Sequence, residues 1–130
     1  MTTNSEINAP FYRPAMLKSK VFFTETDSCL KFYYHVRGSG NEEDLYLKVY
    51  ANYTNDNMNQ TANILNISGT HGEIWREHQM TLPPGKFSVV FEASSSSNMD
   101  DASLDDILLR TGRCIINTTH GKVYLLQLIW

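Results

Sequence analysis

No stretch of this chain approaches the roughly 20 apolar residues that span a bilayer. The most hydrophobic segment, residues 123–130 (VYLLQLIW), is far too short. The N-terminus, MTTNSEINAPFYRP, lacks the charged start and apolar run of a secretory signal. Basic clusters are missing as well. The eleven Lys and Arg residues are scattered singly in a chain of net charge −3, whereas a protein that lives on phosphate backbones needs a concentrated basic surface. Nucleic acid is therefore not an expected partner. There is no HExxH, GxSxG, P-loop or dinucleotide fingerprint. His35, His71, His78 and His120 belong to no Cys/His cluster and sit beside no nucleophile pattern. No enzyme activity is expected. Helical spacing is scarce, since Leu104, Ile107 and Leu108 form a run too short to stand as a helix. The two cysteines, Cys29 and Cys114, are too few for a structural zinc site. Spacing alone leaves free thiols and a disulfide both open.

What is present reads as one β domain. A hydrophobic share of 42% with 19% charged residues is that of a globular chain, and 130 residues suit a single core. Leu30, Phe32, Tyr34 and Val36 alternate with Cys29, Lys31, Tyr33 and His35, the two-residue period of a half-buried strand. Leu45, Leu47, Val49 and Ala51 repeat it against Tyr46, Lys48 and Tyr50. Phe87, Val89, Phe91 and Ala93 give a third case after the breaker Pro83-Pro-Gly85. Arg76, His78, Met80 and Leu82 form a weaker strand, with further strands expected in 15–23, 64–67 and 104–110. The fold class expected is all-β, an antiparallel sandwich of jelly-roll type. The polar stretches 52–63 and 94–101 read as connections at its ends. The expected core holds Leu30, Phe32, Tyr34, Trp75, Phe87, Val89 and Phe91. Four N-x-S/T triplets begin at Asn52, Asn59, Asn66 and Asn117, where roughly two would arise by chance in a chain this rich in Asn, Ser and Thr. The excess is modest, and lucky spacing in a polar loop competes with glycan attachment.

Three segments in series resemble a MAM domain, the extracellular module of meprins, neuropilins and receptor-type tyrosine phosphatases. The first is Ala15-Met-Leu-Lys-Ser19 followed by Cys29-Leu-Lys-Phe-Tyr-Tyr-His-Val-Arg-Gly38. The second is Trp75 with Phe87-Ser-Val-Val-Phe-Glu-Ala93. The third is Asp101-Ala-Ser-Leu-Asp-Asp-Ile107 with Gly112-Arg-Cys114. The resemblance covers residues 15–114. It leaves 1–14 as a poorly ordered N-terminal segment and 115–130 as a tail outside the match, and the family's first two cysteines and first strands find no counterpart. Asp100 stands where the family carries Gly.

The resemblance implies that Cys29 and Cys114 are bridged, that the chain is extracellular, and that its sequons are usable. It also implies adhesion or ectodomain assembly through other proteins, with self-association of a larger parent. Any membrane link would run through a parent's anchor. For Asp101, Asp105 and Asp106 it raises a Ca²⁺ site, since hard cations take carboxylate oxygens. The preferred alternative has Asp105 or Asp106 fixing a bend before Ile107 by a bond to backbone. No other cofactor is expected. Two further functions stand beside adhesion. A carbohydrate-binding jelly roll would need Tyr33, Tyr46 or Tyr50 together on one face. A fragment that assists assembly of a larger enzyme would need a zinc-protease motif elsewhere in the same transcript.

Overall fold

The computed structural model describes residues 5–7, 15–37, 45–55, 58–68, 74–94, 101–114, 123–125 and 128–129. Their strands are β1 (Ser5–Ile7), β2 (Ala15–Ser19), β3 (Phe22–Thr24), β4 (Ser28–Arg37), β5 (Tyr46–Asn55), β6 (Met58–Ser68), β7 (Arg76–Leu82), β8 (Gly85–Ser94), β9 (Asp101–Thr111), β10 (Val123–Leu125) and β11 (Leu128–Ile129). No helix among the described residues is long and apolar enough to cross a membrane. All pairings are antiparallel and build two sheets. Sheet A runs β1-β9-β4-β7, with β10 also on β9. Sheet B runs β11-β2-β8-β5-β6, with β3 also on β8. The expected all-β sandwich is what the chain forms.

The alternation read from the sequence is the packing pattern. Leu30, Phe32, Tyr34 and Val36 of β4 are buried, as are Leu47, Val49, Ala51 and Tyr53 of β5 and Phe87, Val89, Phe91 and Ala93 of β8. Phe32 of sheet A meets Phe91 of sheet B edge-on at 5.3 Å between ring centres, the preferred approach for two quadrupoles. Six of the seven expected core residues are in this cluster. Trp75 is the correction. It is 48% exposed and stands just before β7, where it packs on the His35 ring at 5.5 Å outside sheet A. Preceding the strand, it escapes the inward row that Leu82 and Met80 share with the core.

Two polar devices explain motif residues that carry no apolar signal. β2 pairs with β8 through Val90 and β3 resumes at Phe87, so the pairing is interrupted between them. The Ser19 hydroxyl fills the gap by accepting the buried Val89 N–H at 2.8 Å. On β9 the register against β4 slips between Lys31 and Tyr33, so that Asp106 and Ile107 together oppose one residue. Asp106 takes φ +50° and its N–H donates to Asp105 Oδ1 at 2.9 Å. The result is a β-bulge. Before it, Ala102 and Leu104 face the core; after it, Ile107 and Leu109 do. The three-residue step from Leu104 to Ile107, which mimics a helix in sequence, is a strand with one extra residue.

Asp tolerates the left-handed region better than β-branched residues do. Asp106→Val is therefore expected to cost about 1–2 kcal/mol and Asp106→Gly to leave stability near wild type. The urea midpoints of the two variants check this; equal midpoints would contradict the bulge.

One other expectation needs correction. Residues 52–63 are not a long connection: β5 runs to Asn55 and β6 starts at Met58. Their outward Asn and Thr residues are strand positions on a solvated face. Residues 5–7 pair with β9 at Ala102–Leu104. The tail is used twice, with 123–125 on β9 and 128–129 on β2.

Candidate interaction faces

Each sheet turns one face outward, and the registers say which residues share it. On sheet A the rows read Thr81–Cys29–Arg110, Gln79–Lys31–Leu108 and Glu77–Tyr33–Asp105, then His35–Ser103 and Arg37–Asp101. The Tyr33 hydroxyl donates to Glu77 Oε2 at 3.2 Å, and Lys31 Nζ sits 3.9 Å from Glu77 Oε1 and 5.4 Å from the Tyr33 ring centre. Trp75 on His35 closes one end of this face.

The Cys29–Cys114 disulfide closes the other end, with Cα atoms 4.8 Å apart and 85 positions of sequence between them. The segment after β9 is held against the sheet by three further bonds. Gly112 N–H donates to Asp27 O at 2.7 Å, Cys114 N–H to Thr81 Oγ1 at 2.9 Å, and Arg113 Nε meets Asp27 Oδ2 at 3.1 Å. Gly112 has φ +97°, a turn conformation that favours glycine. The G-x-C motif is thus a turn that swings the second sulfur back over β4.

The acidic motif is spread along β9. Asp101 and Asp105 lie four positions apart on extended β9, roughly 13 Å along a strand. Asp105 spends one oxygen on the bulge. Among the described residues no three His, Cys, Asp or Glu side chains come close enough to hold a metal ion. His35 is outward, and His78 Nε2 donates to Ile64 O at 2.9 Å, bridging the two sheets at their β7 and β6 sides. His71 and His120 lie outside the described residues.

On sheet B the outward rows read Ser68–Tyr46–Ser94, Asn66–Lys48–Glu92–Met16, Asn63–Tyr50–Val90–Lys18, Thr61–Asn52–Ser88 and Asn59–Thr54. Tyr46 and Tyr50 reach toward the same carboxylate from either side, donating to Glu92 Oε2 at 2.8 Å and Oε1 at 3.2 Å. Lys48 Nζ lies over the Tyr46 ring at 4.6 Å. Tyr33 stays on the opposite sheet, so the three tyrosines do not assemble into one platform. The three sequon asparagines within the described residues, Asn52, Asn59 and Asn66, all fall on this face of sheet B; Asn117 lies outside the described residues. The shared face was hidden in sequence because it depends on a bulge at Ile64, which resets the β6 register between Asn59 and Asn66.

Burial, reinforced by Glu92, pushes the Tyr46 phenol up to about 12 and raises Tyr50. Tyr53 also rises to about 12, through burial and then the Asp27 charge, while its hydroxyl donates to Pro83 O at 2.7 Å. A phenol held neutral by the fold stabilises it fully below the ordinary pKa of about 10, and this contribution is lost as pH climbs toward the folded value. Stability is therefore expected to fall between about pH 10 and 12. Tyr46→Phe should weaken that fall without abolishing it, since Tyr53 titrates in the same window. Phenolate absorbance followed together with far-UV circular dichroism measures it.

Comparison with solved structures finds a similar fold in one of the two chains described here. One, described as "Family 16 Carbohydrate Binding Module-2", superposes with a TM-score of 0.58 at 17% identity, covering 80% of this chain and 73% of that one. Another, described as "CBM4 structure and function", gives 0.46 at 12%, covering 83% and 80%. At such identities the first likeness speaks for the fold alone, and the second carries no argument. The model of the family "MAM domain, meprin/A5/mu" matches residues 1–115, which include both cysteines, the Ser19 gap filler and the Asp106 bulge. The chain belongs to the MAM family.

Proposed function

We propose that this chain is a non-catalytic extracellular module that makes protein–protein contacts in adhesion or ectodomain assembly, through the outward face of sheet A. MAM domains are interaction modules, which supports protein partners in general. The single observation that carries the finer reading is the asymmetry of the two faces. Sheet A offers an exposed Trp75 backed by His35, with the amphipathic Tyr33 nearby, and Trp, Tyr and Arg dominate binding hot spots. Sheet B offers the three described sequon asparagines. Hydrophilic glycans there would shield that face and leave sheet A for the partner.

The first partner to test is a second copy of the parent ectodomain. Beads coated with the wild-type ectodomain are expected to cluster, and Trp75→Ala is expected to abolish clustering with an unchanged circular dichroism spectrum. A truncated hot-spot Trp costs about 2 kcal/mol or more, roughly a thirtyfold loss of affinity. Clustering that Trp75→Ala leaves intact would refute this face as the contact.

A second reading is favoured by Tyr46 and Tyr50, whose rings share one outward face with Asn63, Asn66 and Glu92. Aromatic and polar side chains in that mixture suit a sugar. A glycan array probed with wild type and with the Tyr46→Ala/Tyr50→Ala variant separates the two, because only a sugar-binding module loses array signal on that substitution.

A further inference from the structure

The two sheets treat their edges differently. The free side of β9 is covered by β1 along Ala102–Leu104 and by β10 along Leu108–Arg110. On the corresponding side of sheet B, β11 flanks β2. Among the described residues, two long edges are left at the ends of the strand orders, β7 in sheet A and β6 in sheet B. An open edge presents unpaired N–H and C=O groups to any other strand, and proteins blunt it with charge, proline or bulges. β7 carries Arg76, Glu77 and His78. β6 has none of these. Its eleven residues, MNQTANILNIS, contain no charge, no proline and no glycine, the composition of a segment that pairs with copies of itself.

What β6 has instead is a bulge at Ile64, whose carbonyl is taken by His78, and a sequon on either side of that bulge. Asn59-Gln-Thr61 lies toward one end and Asn66-Ile-Ser68 toward the other, with Asn59, Thr61, Asn66 and Ser68 all exposed. Seven positions separate the two asparagines, roughly 20 Å along the strand, so each end of the edge has one. Asn52 is placed otherwise. It sits on β5 between β6 and β8, half-buried, and its carboxamide oxygen accepts the Thr61 hydroxyl at 3.1 Å.

We propose that Asn59 and Asn66 carry N-linked glycans in the secreted chain and that these two glycans guard the β6 edge against strand addition by another copy. Each overhangs the place where a further strand would lie, doing sterically what Lys and Pro do on other edges. The inference rests on the extracellular reading above.

The test secretes the whole chain from mammalian cells and maps glycan occupancy by peptide mass after enzymatic release, which turns an occupied Asn into Asp. Light scattering after size exclusion and thioflavin fluorescence then report association. Wild type is expected to carry glycans at Asn59 and Asn66 and to show no thioflavin-positive assembly. Asn59→Gln/Asn66→Gln is expected to lose that protection in a concentration-dependent way. Asn59→Lys/Asn66→Lys, which replaces glycan by charge, is expected to restore it, and Asn52→Gln to change nothing. If the Gln variant is not secreted, trimming the folded wild-type glycans to a single sugar makes the same comparison. A secreted, Cys29–Cys114-bridged chain with both asparagines bare overturns the proposal alone. So does a Gln variant that stays free of assembly, or an Asn52→Gln variant that assembles as readily. A chain retained in the cell with both thiols free overturns the extracellular reading along with it.

Discussion

Cys29→Ala/Cys114→Ala is expected to remove about 4–5 kcal/mol of stability, because the bridge spans 85 positions and closes a loop that the unfolded chain would otherwise explore freely. Domains of this size have net stabilities of about 5–15 kcal/mol, so the loss is a large share of the whole. The bridge also ties the end of the bulged strand β9 to the start of β4, next to the Asp27–Gly112 and Thr81–Cys114 bonds. Urea unfolding of wild type and the double variant measures the change, and addition of reductant to wild type should reproduce it. Coincident curves would show that the tie contributes nothing.

The second large effect is expected at Phe32. Its ring is fully buried, meets Phe91 edge-on at 5.3 Å, and lies 5.7 Å from the His78 ring that reaches across to β6. Truncation therefore opens a cavity where both sheets and the cross-sheet bridge converge. Phe32→Ala is expected to cost about 3–5 kcal/mol, the range for a buried aromatic. Phe23→Ala is its control, since Phe23 is 77% exposed and surface substitutions stay within about 0.5 kcal/mol. Thermal unfolding of the two variants decides. A Phe32→Ala chain as stable as Phe23→Ala would contradict the packing described for the core.

The two-residue period carried most of the fold, and the physical reason is simple. β4 and β5 are long strands with one face on the core, so inward and outward residues alternate along most of their length, while β8, central in its sheet, also buries Ser88, Val90 and Ser94 on its other face. Where the period breaks, the strand signal is weaker, although 64–67 and 104–110 were both expected as strands and are strands. Asp106 inserts one residue into β9 and makes Leu104–Ile107 look helical. Ile64 does the same in β6, whose uncharged polar exterior also resembles a loop. Trp75 failed for a different reason, because large apolar residues are placed by default in the core and this one stands before its strand.

The site was legible only in part. The cysteine pairing came through the family resemblance and the structure contains it. The common face of Asn52, Asn59 and Asn66 depends on strand register, which linear spacing does not encode. The Tyr46–Glu92–Tyr50 cluster joins residues more than forty positions apart across two strands.

The proposed role, an extracellular module with one face for glycans and one for protein, requires passage through an oxidising compartment. A non-reducing peptide map of the full chain secreted from mammalian cells tests that requirement directly. It should contain one linked peptide pair joining Cys29 to Cys114 and no alkylated cysteine. A folded chain in which both residues are alkylated would contradict the account.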